Sequence, residues 1–279
     1  MTPKKVIVFG GTHGNEWTGI HIVKHYAESL KKKFPKLDLH FILANPEAHK
    51  ANRRFVNEDL NRAFQFLHEE RTNSYEHKRA HEIKQMICDE PCYVIDLHTT
   101  TSSMGSTVIL SEMNSLNLGI CHRLAEKVAD CRIISSPDPQ RKYLASQSSH
   151  GMIIEVGPVS NGVVSAPVLK ASLLMLEFIL MTLNSSDIAT EGELEIYEEA
   201  EDVYYPLGKD GEISAYIHSS FQGKDFSPVT EKYSAFEMFS GEVLEKKHDE
   251  ILFPIFINEA AYYPQKLAYS LCRKKKVKF

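Results

Sequence analysis

The sequence predicts an α/β protein: a mixed, largely parallel sheet flanked by helices, followed by a smaller β-rich C-terminal domain. Two observations predict this fold class. Short apolar runs typical of buried strands alternate with helical patterns over the first two thirds of the chain, as in sheets that are covered by helices. Farther along, short alternating runs separated by turn residues replace the helical patterns, which indicates the second domain.

The first domain, residues 1–188, is predicted to contain the main sheet. It opens with KVIVFGG, a β-rich run that ends in glycines, as a parallel strand does before its loop. Because strand and helix signals then alternate, we expect helices on both faces of the sheet. The elements predicted next are, in order, a helix over 17–30, the strand LDLHFILAN, a charged helix over 74–86, the strands CYVIDLH and TVILS, a helix over 116–129, the strands CRIISS and GMIIEVG, and a helix over 166–183.

The second domain is predicted over residues 189–279. It follows NSSDIATEGE, which has the composition of a linker. Its short runs GEISAYIHS, SAFEMFS and ILFPIFI are separated by turn residues and indicate strands. The basic tail RKKKVKF is expected to be a solvated, frayed end.

Composition and charge exclude several classes of protein. The chain has 279 residues, 43% of them hydrophobic, which is enough for a sizeable core. A formal net charge of −5 argues against a general nucleic-acid binder, because phosphate neutralisation needs a basic face. No signal peptide is expected at the start, and no apolar run is expected to approach the roughly 20 residues that span a bilayer. These features predict a soluble cytoplasmic protein.

Three potential metal ligands follow two of the predicted strands. GGTHGNEWTG places His13 and Glu16 three residues apart after the first strand, and CYVIDLHTTTSS ends a buried strand with His98. If the two strands are parallel, all three side chains lie at the same edge of the sheet. Two histidines and one carboxylate with an open position form the ligand set of a catalytic zinc ion. The competing interpretation is that His98 caps a strand and His13 fills a loop.

Two further segments carry polar residues that suit a hydrolytic site. GMIIEVGP ends an apolar strand with Glu155, a carboxylate that beside a metal site would have a raised pKa and could act as general base. RRFVNEDLNRAF contains Arg54, Asn61 and Arg62, whose guanidinium and amide groups can hold a carboxylate. A salt-bridged strand end and a surface helix with ion pairs are the alternatives.

The order of these motifs resembles a known family. GGTHGNEWTG, DLNR, IDLHTTTSSMG, IEVGP and NEAAYY occur in the order seen in aspartoacylases, which are relatives of the zinc carboxypeptidases and of succinylglutamate desuccinylase. The match runs from about Gly10 to Lys266, nearly the whole chain. The resemblance implies a zinc-carboxypeptidase-like sheet, a C-terminal domain that caps the active site, and one zinc ion per subunit.

The resemblance also implies the catalytic roles of five residues. His13, Glu16 and His98 would bind zinc. Glu155 would serve as the base toward the attacking water. Arg54 would polarise the scissile carbonyl and stabilise the oxyanion together with the metal, a role that is generally worth several kcal/mol.

Five more residues are implied to contact the substrate. Asn61 and Arg62 would hold its α-carboxylate, and Tyr262, in NEAAYY, would reach the same carboxylate from the C-terminal domain. Tyr143, in RKYLASQ, would contact the substrate near its reacting end. Lys266 would lie near the entrance.

Two positions depart from the family pattern. Aspartoacylases place an arginine for the aspartate side chain four residues after the tyrosine of RKYLASQ, where this chain has Gln147. Arg141, Lys142 or His150 are the alternative sources of that positive charge. Vertebrate aspartoacylases have asparagine after the second zinc histidine, where this chain has Thr99. Both changes leave the hydrolytic reaction class intact.

The sequence therefore predicts zinc-dependent hydrolysis of a small N-acyl-L-amino acid. N-acetyl-L-aspartate, giving acetate and L-aspartate, is the favoured substrate, and other N-acyl amino acids, with aromatic, neutral or succinylated groups, are the alternative. A carboxypeptidase is disfavoured because the capping domain would obstruct a polypeptide, and a non-catalytic binding protein on the same fold is the remote alternative. Nucleic acid and membrane partners are not expected, and a homo-oligomer is possible on the resemblance.

Overall fold

The computed structural model describes residues 3–67, 74–88, 90–185 and 188–279. The helix predicted over 17–30 is two helices, because the backbone bends at Tyr26. The helices are α1 (Trp17–His25), α2 (Ala27–Lys33), α3 (Pro46–Lys50), α4 (Leu60–Ala63), α5 (Tyr75–Cys88), α6 (Ser115–Ala125) and α7 (Ala166–Ser185). The strands are β1 (Lys5–Gly10), β2 (Asp38–Leu43), β3 (Cys92–Thr99), β4 (Gly105–Leu110), β5 (Arg132–Ser135), β6 (Gly151–Gly157), β7 (Glu193–Tyr204), β8 (Ala215–Ile217), β9 (Tyr233–Met238), β10 (Val243–Lys246), β11 (Phe253–Ile255) and β12 (Leu267–Lys278).

Most of these strands form one mixed sheet. Among the described residues, its nine strands lie in the order β11-β12-β7-β5-β4-β6-β3-β1-β2, and a separate three-stranded sheet has the order β10-β9-β8. β2, β1, β3 and β6 run parallel to one another, as do β4, β5 and β7. β4 is antiparallel to β6, and β12 is antiparallel to β7 and β11. The predicted fold class is therefore confirmed.

The sheet separates two hydrophobic cores, because successive side chains of a strand point to opposite faces. In β1, Val6 and Val8 belong to the core that includes α1, α6 and α7, whereas Ile7 and Phe9 belong to the core that includes α4 and α5. Each such fully buried side chain stabilises the fold by roughly 1.5–3 kcal/mol. Because both faces of this central strand are covered, the loop at its end is where polar side chains and chemistry can be placed.

Helix α7, which was predicted over 166–183, has 20 residues. An 18-residue window of this helix has a mean hydropathy of 1.7, so by length and composition alone it could cross a membrane. Lys170 and Glu177 interrupt its apolar residues, so its uninterrupted apolar runs stay short, as the sequence analysis expected. In the structure one face of α7 packs against the sheet, with Met175, Leu176 and Ile179 completely buried.

The basic tail is a strand, so the expectation of a frayed end was wrong. Residues of β12 pair with β7 as far as Lys278. Lys274 Nζ lies 2.5 Å from Glu195 Oε1, and Lys276 Nζ lies 2.9 Å from Glu193 Oε1. Each exposed ion pair contributes little alone, but the acidic β7 makes a basic strand an electrostatically suitable neighbour.

The predicted domain boundary between residues 188 and 189 falls in the connection from α7 to β7, and residues 186 and 187 lie outside the described residues. β7 joins the main sheet by pairing with β5, with Ile134 opposite Tyr197. The C-terminal part is thus hydrogen-bonded to the sheet that carries the first predicted domain, and the division at this boundary stays a prediction.

Candidate metal centre and active site

The loop after β1 turns sharply and brings two of the predicted ligands together. Gly11 has a φ of 74°, a left-handed conformation that suits glycine. A Cβ at Gly14 would lie 2.2 Å from the backbone carbon of Ala48, so the loop packs directly on α3. The N–H of Glu16 donates to the carbonyl of His13 at 3.1 Å and closes the turn.

His13, Glu16 and His98 converge at the ends of β1 and β3. One potential ligand atom from each lies within 4.8 Å of the others, and all three residues are buried. The Nδ1 atom of His13 is 2.5 Å from Glu16 Oε1, and the Nδ1 atom of His98 is 3.0 Å from Glu16 Oε2. The structure therefore brings the three predicted ligands together, with both imidazoles facing one carboxylate.

Two aspartates orient the imidazoles from behind. The Nε2 atom of His98 is 2.7 Å from Asp96 Oδ2, and Thr12 Oγ1 donates to Asp96 Oδ1 at 2.7 Å. The Nε2 atom of His13 is 3.2 Å from Asp59 Oδ1. Such contacts fix the tautomer and ring orientation of metal-binding histidines, so each Nδ1 would be the atom available to a metal ion.

The electrostatics of this group suit a divalent cation. Burial opposes ionisation of Glu16, but the charges and hydrogen bonds of the two histidines outweigh it and hold the pKa of Glu16 below its usual value. Burial likewise opposes a charged His98, but Asp96 and Glu16 hold the pKa of His98 well above its usual value. Carboxylates that stabilise a positive charge on His98 would also stabilise a metal cation, and the His₂Glu donor set is one that catalytic zinc uses.

The contact between Asp96 and His98 leads to a first prediction. In an Asp96→Asn variant, we expect zinc affinity to fall about 10- to 100-fold, because the amide is a weaker acceptor for the imidazole N–H. Competition with a fluorescent zinc chelator measures this change. Asp38→Asn is the matched control. Asp38 also lies two residues before the histidine that it contacts, His40 at 3.0 Å, but this pair is exposed. An unchanged zinc affinity in Asp96→Asn would contradict this role.

An aspartate holds Arg54 beside the three predicted metal ligands. Its Nε and Nη2 atoms donate to Asp59 Oδ2 at 3.1 and 3.0 Å, and its Nη1 lies 3.6 Å from Glu16 Oε1. Asp59 also caps α4, accepting from the N–H of Asn61 at 2.9 Å. One carboxylate thus fixes Arg54, His13 and the helix start together.

The group formed by His13, Glu16 and His98 opens onto a two-part cleft. The inner cavity, of about 70 Å³, is lined by His13, His98, Glu155 and Arg54, among others. The outer cavity has a volume of about 710 Å³ and shares Arg54 with the inner one. The inner part therefore combines the two predicted histidine ligands with the predicted base and the predicted oxyanion group.

Glu155 is the buried carboxyl of this inner cavity. It lies beside His98 in the parallel pairing of β6 with β3. Burial raises the pKa of Glu155 well above its usual value, and the carboxylate of Glu16 raises it further. The charges of His98 and Arg54 act in the opposite direction. A carboxyl with a raised pKa is suited to accept and return a proton near neutral pH.

Four of the predicted substrate contacts line the cleft. Asn61 lines the inner cavity, and Arg62, Tyr143 and Tyr262 line both parts. The Asn61 Oδ1 accepts from the N–H of Leu144 at 3.0 Å, so its amide NH₂ is the group it can offer. The guanidinium of Arg62 lies 5.1 Å from the centre of the Tyr143 ring. Burial raises the pKa of Tyr262, so its hydroxyl is a donor.

Lys266, the fifth predicted contact, is directed elsewhere. Its Nζ donates to the carbonyl of Gly211 at 2.5 Å. Within the described part of the chain, it lines neither the inner nor the outer cavity. The structure therefore does not bring it to the predicted site.

Gln147 also lies away from the cleft. It is buried, and its Nε2 donates to the carbonyls of Arg141 and Tyr143 at 2.5 and 3.0 Å. Of the three alternative sources of positive charge, Lys142 lines the outer cavity, whereas among the described lining residues of both cavities neither Arg141 nor His150 appears. Gln147 thus closes a local turn.

A buried glutamate fastens the C-terminal segment to the loop after His98. Glu259 Oε2 accepts from the N–H and Oγ1 of Thr101 at 2.8 and 2.9 Å and from the N–H of Ser102 at 3.3 Å. The hydroxyl of Thr100 donates to the same oxygen. Glu259 Oε1 accepts from the N–H of Ala261 at 3.0 Å. These bonds hold the segment that carries Tyr262 over the cleft.

This fastening leads to a second prediction. A Glu259→Gln variant would turn an NH₂ group toward backbone or hydroxyl donors, and unsatisfied buried groups cost about 1–3 kcal/mol each. We expect a loss of stability of that size in chemical denaturation and a raised KM, since Tyr262 is less well held. Glu242→Gln, at an exposed position, is the control. Unchanged stability and KM in Glu259→Gln would contradict this role.

Several site residues were not predicted from the sequence. Asp96 had a usable signal, because a charged residue two positions before His98 in an otherwise apolar strand lies on the same face. Asp59 lies in the segment RRFVNEDLNRAF, where its sequence context does not distinguish it from a surface ion-pair partner. Glu259, Glu199 and Phe256 come from the C-terminal part, and no local pattern connects them with the metal loop.

Two family models match the chain. The model described as the succinylglutamate desuccinylase/aspartoacylase catalytic domain matches residues 2–182. The model described as the AstE/AspA barrel-sandwich hybrid domain matches residues 192–274. Together they cover most of the sequence.

Individual relatives match over their full length. An N-acyl-aromatic-L-amino acid amidohydrolase (carboxylate-forming) of Xenopus laevis is 35% identical, with 99% of this chain and 96% of the relative covered. A probable aspartoacylase of Trichodesmium erythraeum is 33% identical, with 98% of each chain covered. The crystal structure of murine aminoacylase 3 superposes with a TM-score of 0.93 at 31% identity, covering 100% of this chain and 98% of that one.

Proposed function

Because the chain belongs to the succinylglutamate desuccinylase/aspartoacylase family, we propose that it is a zinc-dependent amidohydrolase that removes the acyl group from a small N-acyl-L-amino acid. One observation carries the proposal: the His13, Glu16 and His98 side chains converge, and the two histidines line a cavity together with the buried Glu155 and with Arg54. The names of the two relatives above describe enzymes that act on N-acyl amino acids. This supports the reaction class.

His13, Glu16 and His98 would hold the zinc ion. A bound zinc ion supplies Lewis-acid chemistry, which polarises a carbonyl and makes water a stronger acid. The chain contributes the orientation of the ligands through Asp96 and Asp59.

Glu155 is the proton acceptor of the proposed reaction. Its carboxylate takes a proton from the attacking water and delivers it to the amine nitrogen that leaves, so the same oxygen acts first as base and then as acid. Arg54 directs its guanidinium toward the negative charge that develops on the carbonyl oxygen. Asp59 keeps Arg54 in place through two hydrogen bonds, so little reorganisation is needed.

Arg62, Asn61 and Tyr262 would bind the α-carboxylate. Arg62 offers a guanidinium, which pairs well with a carboxylate, and the other two offer an amide and a hydroxyl. The small inner cavity is also lined by Ile109, Ile153 and Phe256, which suits a short apolar acyl group such as acetyl. The larger outer cavity then receives the amino-acid side chain.

The proposal is tested by following acetate and free amino acid in parallel. Zinc-replete protein is incubated with the N-acetyl derivatives of L-phenylalanine, L-aspartate and L-leucine, and with an unacetylated dipeptide. We expect equimolar acetate and amino acid from at least one N-acetyl derivative, and negligible cleavage of the dipeptide. Faster cleavage of the dipeptide would indicate a carboxypeptidase, and no cleavage of any compound would contradict the proposal.

A further inference from the structure

Two carboxylates of β7 line the space that the substrate side chain would enter. Glu199 and Asp202 both line the outer cavity, and Glu199 also lines the inner one. Glu199 therefore lies where the two cavities meet, whereas Asp202 lines the outer cavity and not the inner one. A substrate held at the metal group would extend its side chain past these carboxylates.

A bulge in β7 explains why two residues three positions apart face the same cavity. In the pairing with β12, Cys272 lies opposite Glu199 but Leu271 lies opposite Glu201, so the register shifts at Ala200. An extra residue of this kind re-aims the side chains that follow it. Within the described lining of the outer cavity, Glu201 does not appear.

Neighbouring hydroxyls hold both carboxylates in place. Ser136 Oγ donates to Glu199 Oε2 at 3.1 Å, and Ser270 Oγ donates to Asp202 Oδ1 at 2.6 Å. Neither hydroxyl neutralises the charge of its partner. Both carboxylates are accessible from the cavity, so they can meet a ligand.

The charges of the outer cavity become unbalanced once the α-carboxylate binds. Among the described lining residues, the cations Arg54, Arg62 and Lys142 face the carboxylates Asp59, Glu199 and Asp202. Arg54 is occupied by Asp59, and Arg62 would be occupied by the α-carboxylate of the substrate. Of these lining residues, Lys142 is then the one cation left to balance the two carboxylates of β7. The cavity therefore carries one negative charge in excess.

Aromatic side chains add to the attraction for a cation. Tyr143 and Tyr204 line the outer cavity. The ammonium of Lys142 already lies 5.0 Å from the centre of the Tyr143 ring, within the distance at which a ring attracts a cation. The wall of the cavity therefore combines carboxylates with aromatic rings.

We propose that the side-chain subsite selects a cationic side chain, as in Nα-acyl derivatives of lysine or ornithine, over a neutral one of equal size, and disfavours a carboxylate. This inference rests on the proposed function, since it assumes that an N-acyl amino acid occupies the cleft. It names a class of side chain that the sequence analysis did not consider, and it places N-acetyl-L-aspartate last.

Matched pairs of substrates separate charge from size. Nα-acetyl-L-lysine and N-acetyl-L-norleucine differ by the ammonium group, and N-acetyl-L-aspartate and N-acetyl-L-asparagine differ by the carboxylate. We expect kcat/KM to be roughly five- to tenfold higher for lysine than for norleucine, and lower for aspartate than for asparagine, as partly exposed charge pairs of this kind allow. Equal values, or a preference for norleucine or aspartate, would overturn the proposal.

Variants of β7 assign the preference to its carboxylates. In Glu199→Gln and Asp202→Asn, we expect the ratio of kcat/KM for Nα-acetyl-L-lysine to that for N-acetyl-L-norleucine to fall toward one. Glu201→Gln removes a charge from the same strand outside the cavity lining, and its ratio is expected to match the wild type. A ratio that is unchanged in Glu199→Gln and Asp202→Asn would overturn the assignment.

A binding measurement distinguishes failure of this inference from failure of the proposed function. Calorimetric titration of the zinc-loaded Glu155→Gln variant with Nα-acetyl-L-lysine and N-acetyl-L-norleucine reports selectivity without turnover. Tighter binding of the lysine compound supports the subsite even if no compound is hydrolysed. Hydrolysis of several N-acetyl amino acids without any preference for cations refutes the subsite and leaves the reaction class intact.

Discussion

Replacing Glu155 with glutamine is expected to lower kcat by about a hundredfold to ten-thousandfold, the range typical of a lost general base. The amide has the size of the carboxyl but cannot accept a proton. The buried position beside His98 is filled as before, so the fold and KM should change little. Steady-state kinetics on the best N-acetyl substrate measures the effect.

Zinc content decides how the Glu155→Gln result is read. Because the three proposed ligands remain, we expect one zinc ion per chain in the variant by mass spectrometry, as in the wild type. A variant that loses zinc would make Glu155 a ligand or a structural residue. A variant that keeps wild-type kcat would exclude it as the base.

Replacing Arg54 with methionine is expected to lower kcat about a hundredfold to a thousandfold, as for the loss of one preorganised donor to an oxyanion. Methionine keeps much of the length of the side chain and none of its hydrogen bonds. The effect should fall on kcat more than on KM, because the charge on the oxygen develops in the transition state.

Arg53→Met is the matched control for Arg54. The two arginines are adjacent, but Arg53 is exposed, so its loss should leave kcat within about twofold. Because Asp59 contacts both Arg54 and His13, zinc content is measured in parallel. A normal kcat in Arg54→Met with zinc retained would contradict the oxyanion role.

The main sheet and the metal ligands could be predicted because their signals are local. A strand that is buried on both faces has a mostly apolar sequence. Every residue of β3 is buried. His98 ends this run, and His13 and Glu16 follow the glycines that end β1. Parallel neighbours align their ends, so the convergence of these side chains follows from the topology.

Apart from Tyr262, which the resemblance implied, the C-terminal contributions could not be predicted, because their partners are distant in sequence. Glu259 bonds to residues 157–159 positions away. The basic tail lacks the alternation of a half-buried strand, and its pairing depends on the acidic β7. The carboxylates of the outer cavity depend on a bulge at Ala200 that no turn residue marks.

Zinc dependence of acyl hydrolysis is the most direct test of the central claim. The purified protein is stripped with a chelator, and zinc content and acetate release from N-acetyl amino acids are measured before stripping, after it, and after zinc is returned. Hydrolysis that disappears with the metal and returns at one zinc ion per chain is the predicted result, and a His98→Ala variant should gain neither zinc nor activity. Full hydrolysis by the stripped protein would contradict the assignment of this site.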